Sequence, residues 1–293
     1  MEFLLTVLLS GVQNGLLYAL VGLAFVLIFR VTGTINLALG ESAVLGALLG
    51  YTLVVSLGLP LWTGLLGVAV AGGAIGAATD MLLIRRMRSR SPLRVLVLSF
   101  GLALVLQNLW KLFWSTDIYS LPQFPGVPKV FTVFFDRSVV PGQALYVTLL
   151  AAVVFGAWAF VLWRTAVGRD MRAVSSDAEV ATAVGINARR TVTGAYGIAF
   201  MLVAVVGFVV SPVLFLNYAG GTLLAVKGLV ATLVGGIHRP FGALVGGLLL
   251  GIAEAATAGY YSVDWKDVSV FGLLILVLLA RPNGILASTK EQH

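Results

Sequence analysis

Nine apolar runs divide the chain, separated by short polar breaks: Phe3–Phe29, Leu37–Leu57, Leu61–Ile84, Val95–Trp114, Ala144–Trp163, Thr191–Ser211, Leu223–Ile237, Phe241–Ala258 and Val268–Ala280. Seven of them are long enough to cross a bilayer, whose hydrocarbon core takes about 20 apolar residues in helical form. Two are short, with 15 residues in Leu223–Ile237 and 13 in Val268–Ala280. Segments of that length must tilt, extend into flanking turns or re-enter. The pattern predicts an all-α polytopic membrane protein with eight or nine transmembrane helices, some short or broken. Two connections are long, 115–143 and 164–190. The first holds four prolines and a strand-like stretch, Val130–Phe135. No linker or soluble segment interrupts the rest, so residues 1–293 are expected to form one transmembrane domain.

Composition strengthens the membrane assignment. Hydrophobic residues make up 59% of the 293 residues and charged residues 11%, against about 25% charged in soluble domains. Mean hydropathy is +1.02. A soluble enzyme is excluded. The net charge of +7 would suggest nucleic acid on a soluble chain, but here it reflects the positive-inside rule, and no nucleic-acid partner is expected. Arg30, Arg85, Arg86, Arg88, Arg90, Arg94, Arg164, Arg169, Arg172, Arg189, Arg190, Arg239, Arg281 and Lys290 fall on one side in this reading. Lys111, Lys129, Arg137 and Lys266 fall on the other, an asymmetry of 14 to 4. The rule puts loop 164–190 and the C-terminus in the cytoplasm, with loop 115–143 outside. Met1-Glu2-Phe3 lacks a basic n-region, so the first run is expected to stay as a helix and not act as a signal peptide.

The candidate chemistry is sparse. There is no cysteine, and His238 and His293 are the only histidines, which leaves no metal centre to expect. No G-x-x-x-x-G-K-[ST] loop, nucleophile elbow or H-E-x-x-H occurs. The chain is expected to have no catalytic residues and no ATP site of its own. Five glycine pairs have small-xxx-small spacing: Gly11/Gly15, Gly46/Gly50, Gly72/Gly76, Gly242/Gly246 and Gly247/Gly251. Packing within the chain explains such pairs most simply, and a subunit interface is the sharper alternative.

Polar groups within the apolar runs are candidates for a pathway or gate, because each is costly in lipid. They are Asn14, Asn36, Glu41, Ser42, Lys227 and Glu254. Glu41 admits helix pairing and pathway function equally. Glu254 favours a structural pair, and Lys227 could neutralise either glutamate. In the 164–190 loop, Ser176-Asp177-Ala178-Glu179 reads as a capping box. Gly185 is placed to end the helix, followed by Ile186. A helix of about eight residues is thus expected outside the membrane. Too short to stand alone in water, it needs a surface to dock on.

At these residues the chain resembles the permease subunits of branched-chain amino acid ABC importers, the Liv-type family. The resemblance rests on Ile35-Asn36-Leu37-Ala38-Leu39-Gly40-Glu41, on Gly168–Asp177 running on to Gly185-Ile186, and on Gly235-Gly236-Ile237 with Pro240. It continues through Gly251-Ile252-Ala253-Glu254 and Arg281-Pro282-Asn283-Gly284-Ile285-Leu286. Leu39 and His238-Arg239 depart from the family pattern. The resemblance implies a permease half, in the inner membrane, that pairs with a second homologous permease. Two ATP-binding subunits would bind ATP and Mg, and an external binding protein would deliver substrate. The coupling element would be Ser176, Asp177, Glu179, Val180, Val184 and Gly185. Branched-chain or other hydrophobic amino acids are the implied cargo. Alternatives are amides, urea, aromatic acids or sugars, or a stand-alone ion-coupled transporter using Glu41, Glu254 and Lys227.

Overall fold

The structure, a computed structural model, describes residues 2–87, 91–117, 119–124, 130–133, 138–214 and 218–286. Arg88, Arg90, Lys129, Arg137 and Lys290, which entered the orientation argument, lie outside them. The chain is a polytopic all-α membrane protein. Helix α1 (Glu2–Thr32) leads through an extended break to a short 3-10 turn, Leu37–Gly40, and α2 (Glu41–Tyr51). Then come α3 (Leu61–Ala78), α4 (Pro92–Trp114), a two-stranded hairpin, and α5 (Gln143–Arg164). The hairpin pairs β1 (Val130–Val133) with β2 (Ser138–Pro141) antiparallel, inside the loop where the sequence predicted a strand. Two short helices follow, α6 (Ala166–Ser176) and α7 (Ala178–Ala183), then α8 (Ala188–Leu214), α9 (Gly220–Gly235), α10 (Pro240–Tyr260) and α11 (Lys266–Ala280).

Among the described residues, seven segments are long and apolar enough to span a membrane. The two short runs of the sequence became α9, with 16 residues, and α11, with 15. Helices α4 and α10 both begin with proline in the first turn, Pro92 and Pro240, where the missing N–H costs nothing. Helices α2 and α3 each end in a π turn, Thr52–Ser56 and Thr79–Leu83. Sequence periodicity did not anticipate these turns.

By contact the chain forms two compact units. One comprises Met1–Val26, Pro122–Ala151 and Val226–His293, and the other Leu27–Leu121 and Ala152–Ala225. In the second unit α8 packs along α2 and α3. Apolar windows are 67% buried in α2 and in α8, but only 33% in α3 and 28% in α4. Trp62, Leu66 and Val70 on α3, with Leu93 and Val97 on α4, are exposed, as lipid-facing side chains should be.

In the first unit α1 crosses α10 at glycines. A Cβ at Gly15 would lie 2.7 Å from Leu248 Cα, and one at Gly11 would lie 2.8 Å from Ile252 Cα. Backbone stands in the way at both positions, so neither tolerates a side chain without parting the helices. The remaining glycine pairs also meet segments of this chain: Gly46/Gly50 and Gly72/Gly76 face α8, and Gly242/Gly246 face α9. All five pairs thus serve packing within the chain. Gly15→Leu is expected to destabilise the fold by about 1–3 kcal/mol through overpacking. Thermal unfolding in detergent measures it, and an unchanged midpoint would contradict the crossing.

Candidate functional site

The polar residues of the apolar runs form two groups, one in each unit. In the second unit, Asn36 ends the extended break after α1. Its Oδ1 accepts from Ala38 N at 2.9 Å and caps the 3-10 turn, which leaves Nδ2 pointing elsewhere. Asn36 is fully buried, and its Nδ2 has no hydrogen-bond partner. The turn delivers Glu41 and Ser42 as the first residues of α2. Glu41 is also fully buried. Its Oε1 accepts from the Thr222 hydroxyl at 3.0 Å, while Oε2 has no partner. Ser42 Oγ is buried and unpartnered too. Thr222 lies in the first turn of α9, and a Cβ at Gly221 would meet the Glu41 carboxyl carbon at 2.8 Å. The carboxylate therefore faces the positive end of the α9 dipole at close range. Buried polar atoms are nearly always satisfied. Three orphans within seven residues, Asn36 to Ser42, are therefore exceptional, and they offer a donor, an acceptor and a hydroxyl.

In the first unit the charges are used on one another. Lys227 Nζ of α9 lies 2.6 Å from Glu254 Oε1 of α10 and 2.8 Å from Asp267 Oδ1 of α11. The Tyr18 hydroxyl of α1 donates to Glu254 Oε2 at 2.6 Å. The Lys227 ammonium also sits 5.7 Å from the Tyr18 ring centroid, within cation–π range. So Lys227 pairs with Glu254, not Glu41, and Tyr18 is a hydrogen-bond donor to the same carboxylate. Asp267, at the start of α11, was not anticipated as a partner. Asn14 is half-buried on α1 and hydrogen-bonded to neither group.

A third constellation was missed in the sequence. Asp80 is buried in the π turn after α3, and its Oδ2 lies 3.0 Å from Arg85 Nη2. Thr193 of α8 donates to the same oxygen at 2.6 Å and accepts from Arg85. The available signal was a carboxylate within the run Leu61–Ile84, five residues before an arginine.

The 164–190 loop folds as α6 and α7. Here the expected cap moves by one residue. Ser176 ends α6 in helical conformation, so it cannot take the extended geometry of an N-cap. Asp177 does, at φ −158° and ψ 113°, and its Oδ1 accepts from Glu179 N at 2.8 Å and Val180 N at 3.0 Å. The helix has six residues instead of about eight. Its C-terminal end matches expectation. Gly185 has φ +91°, Ile186 N donates to Ala181 O and Gly185 N to Thr182 O, the two bonds of a Schellman motif. Ala181 is buried, whereas Val180 is 59% and Val184 71% exposed. The helix thus presents two apolar side chains one turn apart to the outside.

A family model described as "Branched-chain amino acid transport system / permease component" matches residues 7–278. The chain belongs to this family. Among the relatives of this permease is the high-affinity branched-chain amino acid transport system permease protein LivH of Escherichia coli, 31% identical over 99% of this chain and 97% of its own length. The permease protein LivM of the same organism is 24% identical over 94% of this chain and 69% of its own length. The permease also resembles a solved structure, PsaBC from Streptococcus pneumoniae in complex with Fab. The TM-score is 0.51 at 14% identity, covering 100% of this chain and 94% of the other. That likeness shows the fold alone.

Proposed function

We propose that this permease subunit carries branched-chain amino acids inward across a bacterial inner membrane and depends on other chains for its energy. The observation that carries the reading is α7, a helix of six residues held by an Asp177 cap and a Gly185 termination, with Val180 and Val184 exposed. So short a helix gains little from its own hydrogen bonds, and two exposed valines one turn apart are suited to a groove on a partner. Two ATP-binding subunits are the partners that a permease without an ATP site requires. They would bind ATP and Mg, and closure of the pair would favour one orientation of the permease by differential binding. A second, homologous permease completes the assembly. The reading is supported by the two related permease proteins that one organism has under the same transport-system name. An external binding protein would present substrate near the 115–143 loop, and the C-terminus would be cytoplasmic.

Of the candidate polar residues, the orphaned set Asn36, Glu41 and Ser42 suits the pathway. An amino acid brings an ammonium for the Glu41 carboxylate and a carboxylate for the Asn36 amide and Ser42 hydroxyl. The Lys227–Glu254 pair is a structural tie.

Two measurements test this. Substrate-stimulated ATP hydrolysis by the reconstituted complex, screened over leucine, isoleucine, valine, amides and urea, is expected to rise with the branched-chain amino acids. A response confined to amides, urea or sugars would replace the substrate. Transport by the chain alone in liposomes without ATP would overturn the subunit reading. For α7, Asp177→Ala combined with Gly185→Ala removes the cap, worth about 1 kcal/mol. The same pair also forces an alanine into left-handed backbone at a further 1–2 kcal/mol, roughly. Weaker co-purification of the ATP-binding subunits is expected, with the permease still in the membrane. Undiminished co-purification would count against docking through α7.

A further inference from the structure

A cavity of about 240 Å³ lies within the second unit, between the end of α1, the π turn after α3, and the starts of α4, α7 and α8. At about 30 Å³ per water it has the volume of some eight waters, the size class of one amino acid and below the roughly 300–1,000 Å³ of drug-sized pockets. It is not part of the Asn36–Glu41–Ser42 group, and none of the transport chemistry above uses it.

Its walls divide by character. Val31, Val95, Val174 and Val192 form an apolar side, and Asp80, Arg85 and Arg189 a charged one. The lining residues include two arginines and one aspartate, an excess of one positive charge. Arg85 is committed to Asp80 and Thr193. Arg189 meets this cluster through its backbone carbonyl, which accepts from Arg85 at 3.2 Å, and its exposed side chain forms no ion pair among the described residues. Asp80 uses only Oδ2 for its protein partners, which leaves Oδ1 without one. Ala178, the first residue of α7, also lines the cavity.

We propose that this cavity binds one aliphatic amino acid. The carboxylate would sit on Arg189, the ammonium at Asp80 Oδ1, and the branched side chain against the valines. Because the occupant touches α7, occupancy biases the docking helix and gives the transported product a means to slow further import. The product's identity rests on the import reading above; the cavity itself does not.

The chain has no cysteine, so one introduced there gives a unique label on this subunit. In the assembled complex, Val192→Cys is treated with a maleimide and the modified chain is followed by mass. L-leucine at about ten times its Kd is expected to slow labelling about tenfold, whereas glycine and inorganic phosphate leave it unchanged. Ile84→Cys, on another wall of the same cavity, repeats the measurement should Val192→Cys fail to assemble. Labelling that leucine does not slow, or that glycine or phosphate slows equally, overturns the site. Regulation is read separately, as the ratio of ATP hydrolysis with and without leucine inside proteoliposomes. The ratio should fall below one in the wild type and return toward one when Val192→Phe fills the cavity. An equal fall in both overturns the regulation. Protection by leucine in a complex that does not import leucine leaves the cavity standing and removes the import reading. Import without protection does the reverse.

Discussion

Lys227→Met is expected to remove about 3–5 kcal/mol of stability, the cost of stranding one member of a buried ion pair. Methionine keeps the length of the lysine stem but not its charge. Glu254, whose side chain is 7% exposed, would keep the Tyr18 hydrogen bond and lose its counter-charge. Asp267 would lose the same partner at lower cost, since its side chain is 41% exposed and solvent screens the contact. The chain should unfold at lower temperature in detergent and accumulate less in membranes. Adding Glu254→Gln should restore most of the loss, because glutamine still offers Tyr18 an acceptor and no buried charge is left alone. That double variant also separates two mechanisms. A structural tie predicts a folded protein that transports. Ion coupling through Lys227 and Glu254 predicts a folded protein that does not.

This tie shows how far sequence reasoning reached. The runs, the two short helices and the glycine that ends α7 were all legible, because each follows from local chemistry. Lys227, Glu254 and Glu41 stood out as charges in apolar surroundings. Which carboxylate Lys227 would meet was not legible. Partners on different helices are set by how those helices pack, and a span's sequence gives composition but not rotation. Asp80 escaped for a related reason. Its run continues to Ile84, and the π turn that shifts the helix register there carries no proline or glycine to announce it. The Ser176 cap failed by one residue because α6 runs through Ser176. With that helix continuing, only Asp177 was left to adopt extended backbone, and its side chain caps as well as serine would have done.

Glu41→Gln carries the second large effect. The substitution is isosteric: an amide oxygen can still accept from Thr222, as Glu41 Oε1 does at 3.0 Å, and an amide nitrogen replaces the orphaned Oε2. Folding and assembly should therefore change little, while the only acceptor of full negative charge in that group disappears. A hydrogen bond to a charged group contributes about 1.5–3 kcal/mol, so uptake at limiting substrate should fall roughly ten- to hundredfold. ATP hydrolysis without substrate should persist, since α7 and its caps lie elsewhere in the chain. Gly221→Ala offers an independent route to the same outcome. Its added Cβ would crowd the Glu41 carboxyl carbon at 2.8 Å, and with backbone on one side the carboxylate must move. Loss of uptake in both variants, with the complex intact, would place the carboxylate on the substrate's path. Wild-type uptake by Glu41→Gln would reduce Glu41 to an anion that stabilises the start of α9. In that case Gly221→Ala should lower thermal stability without a selective loss of transport, because the damage would be to packing and not to a site.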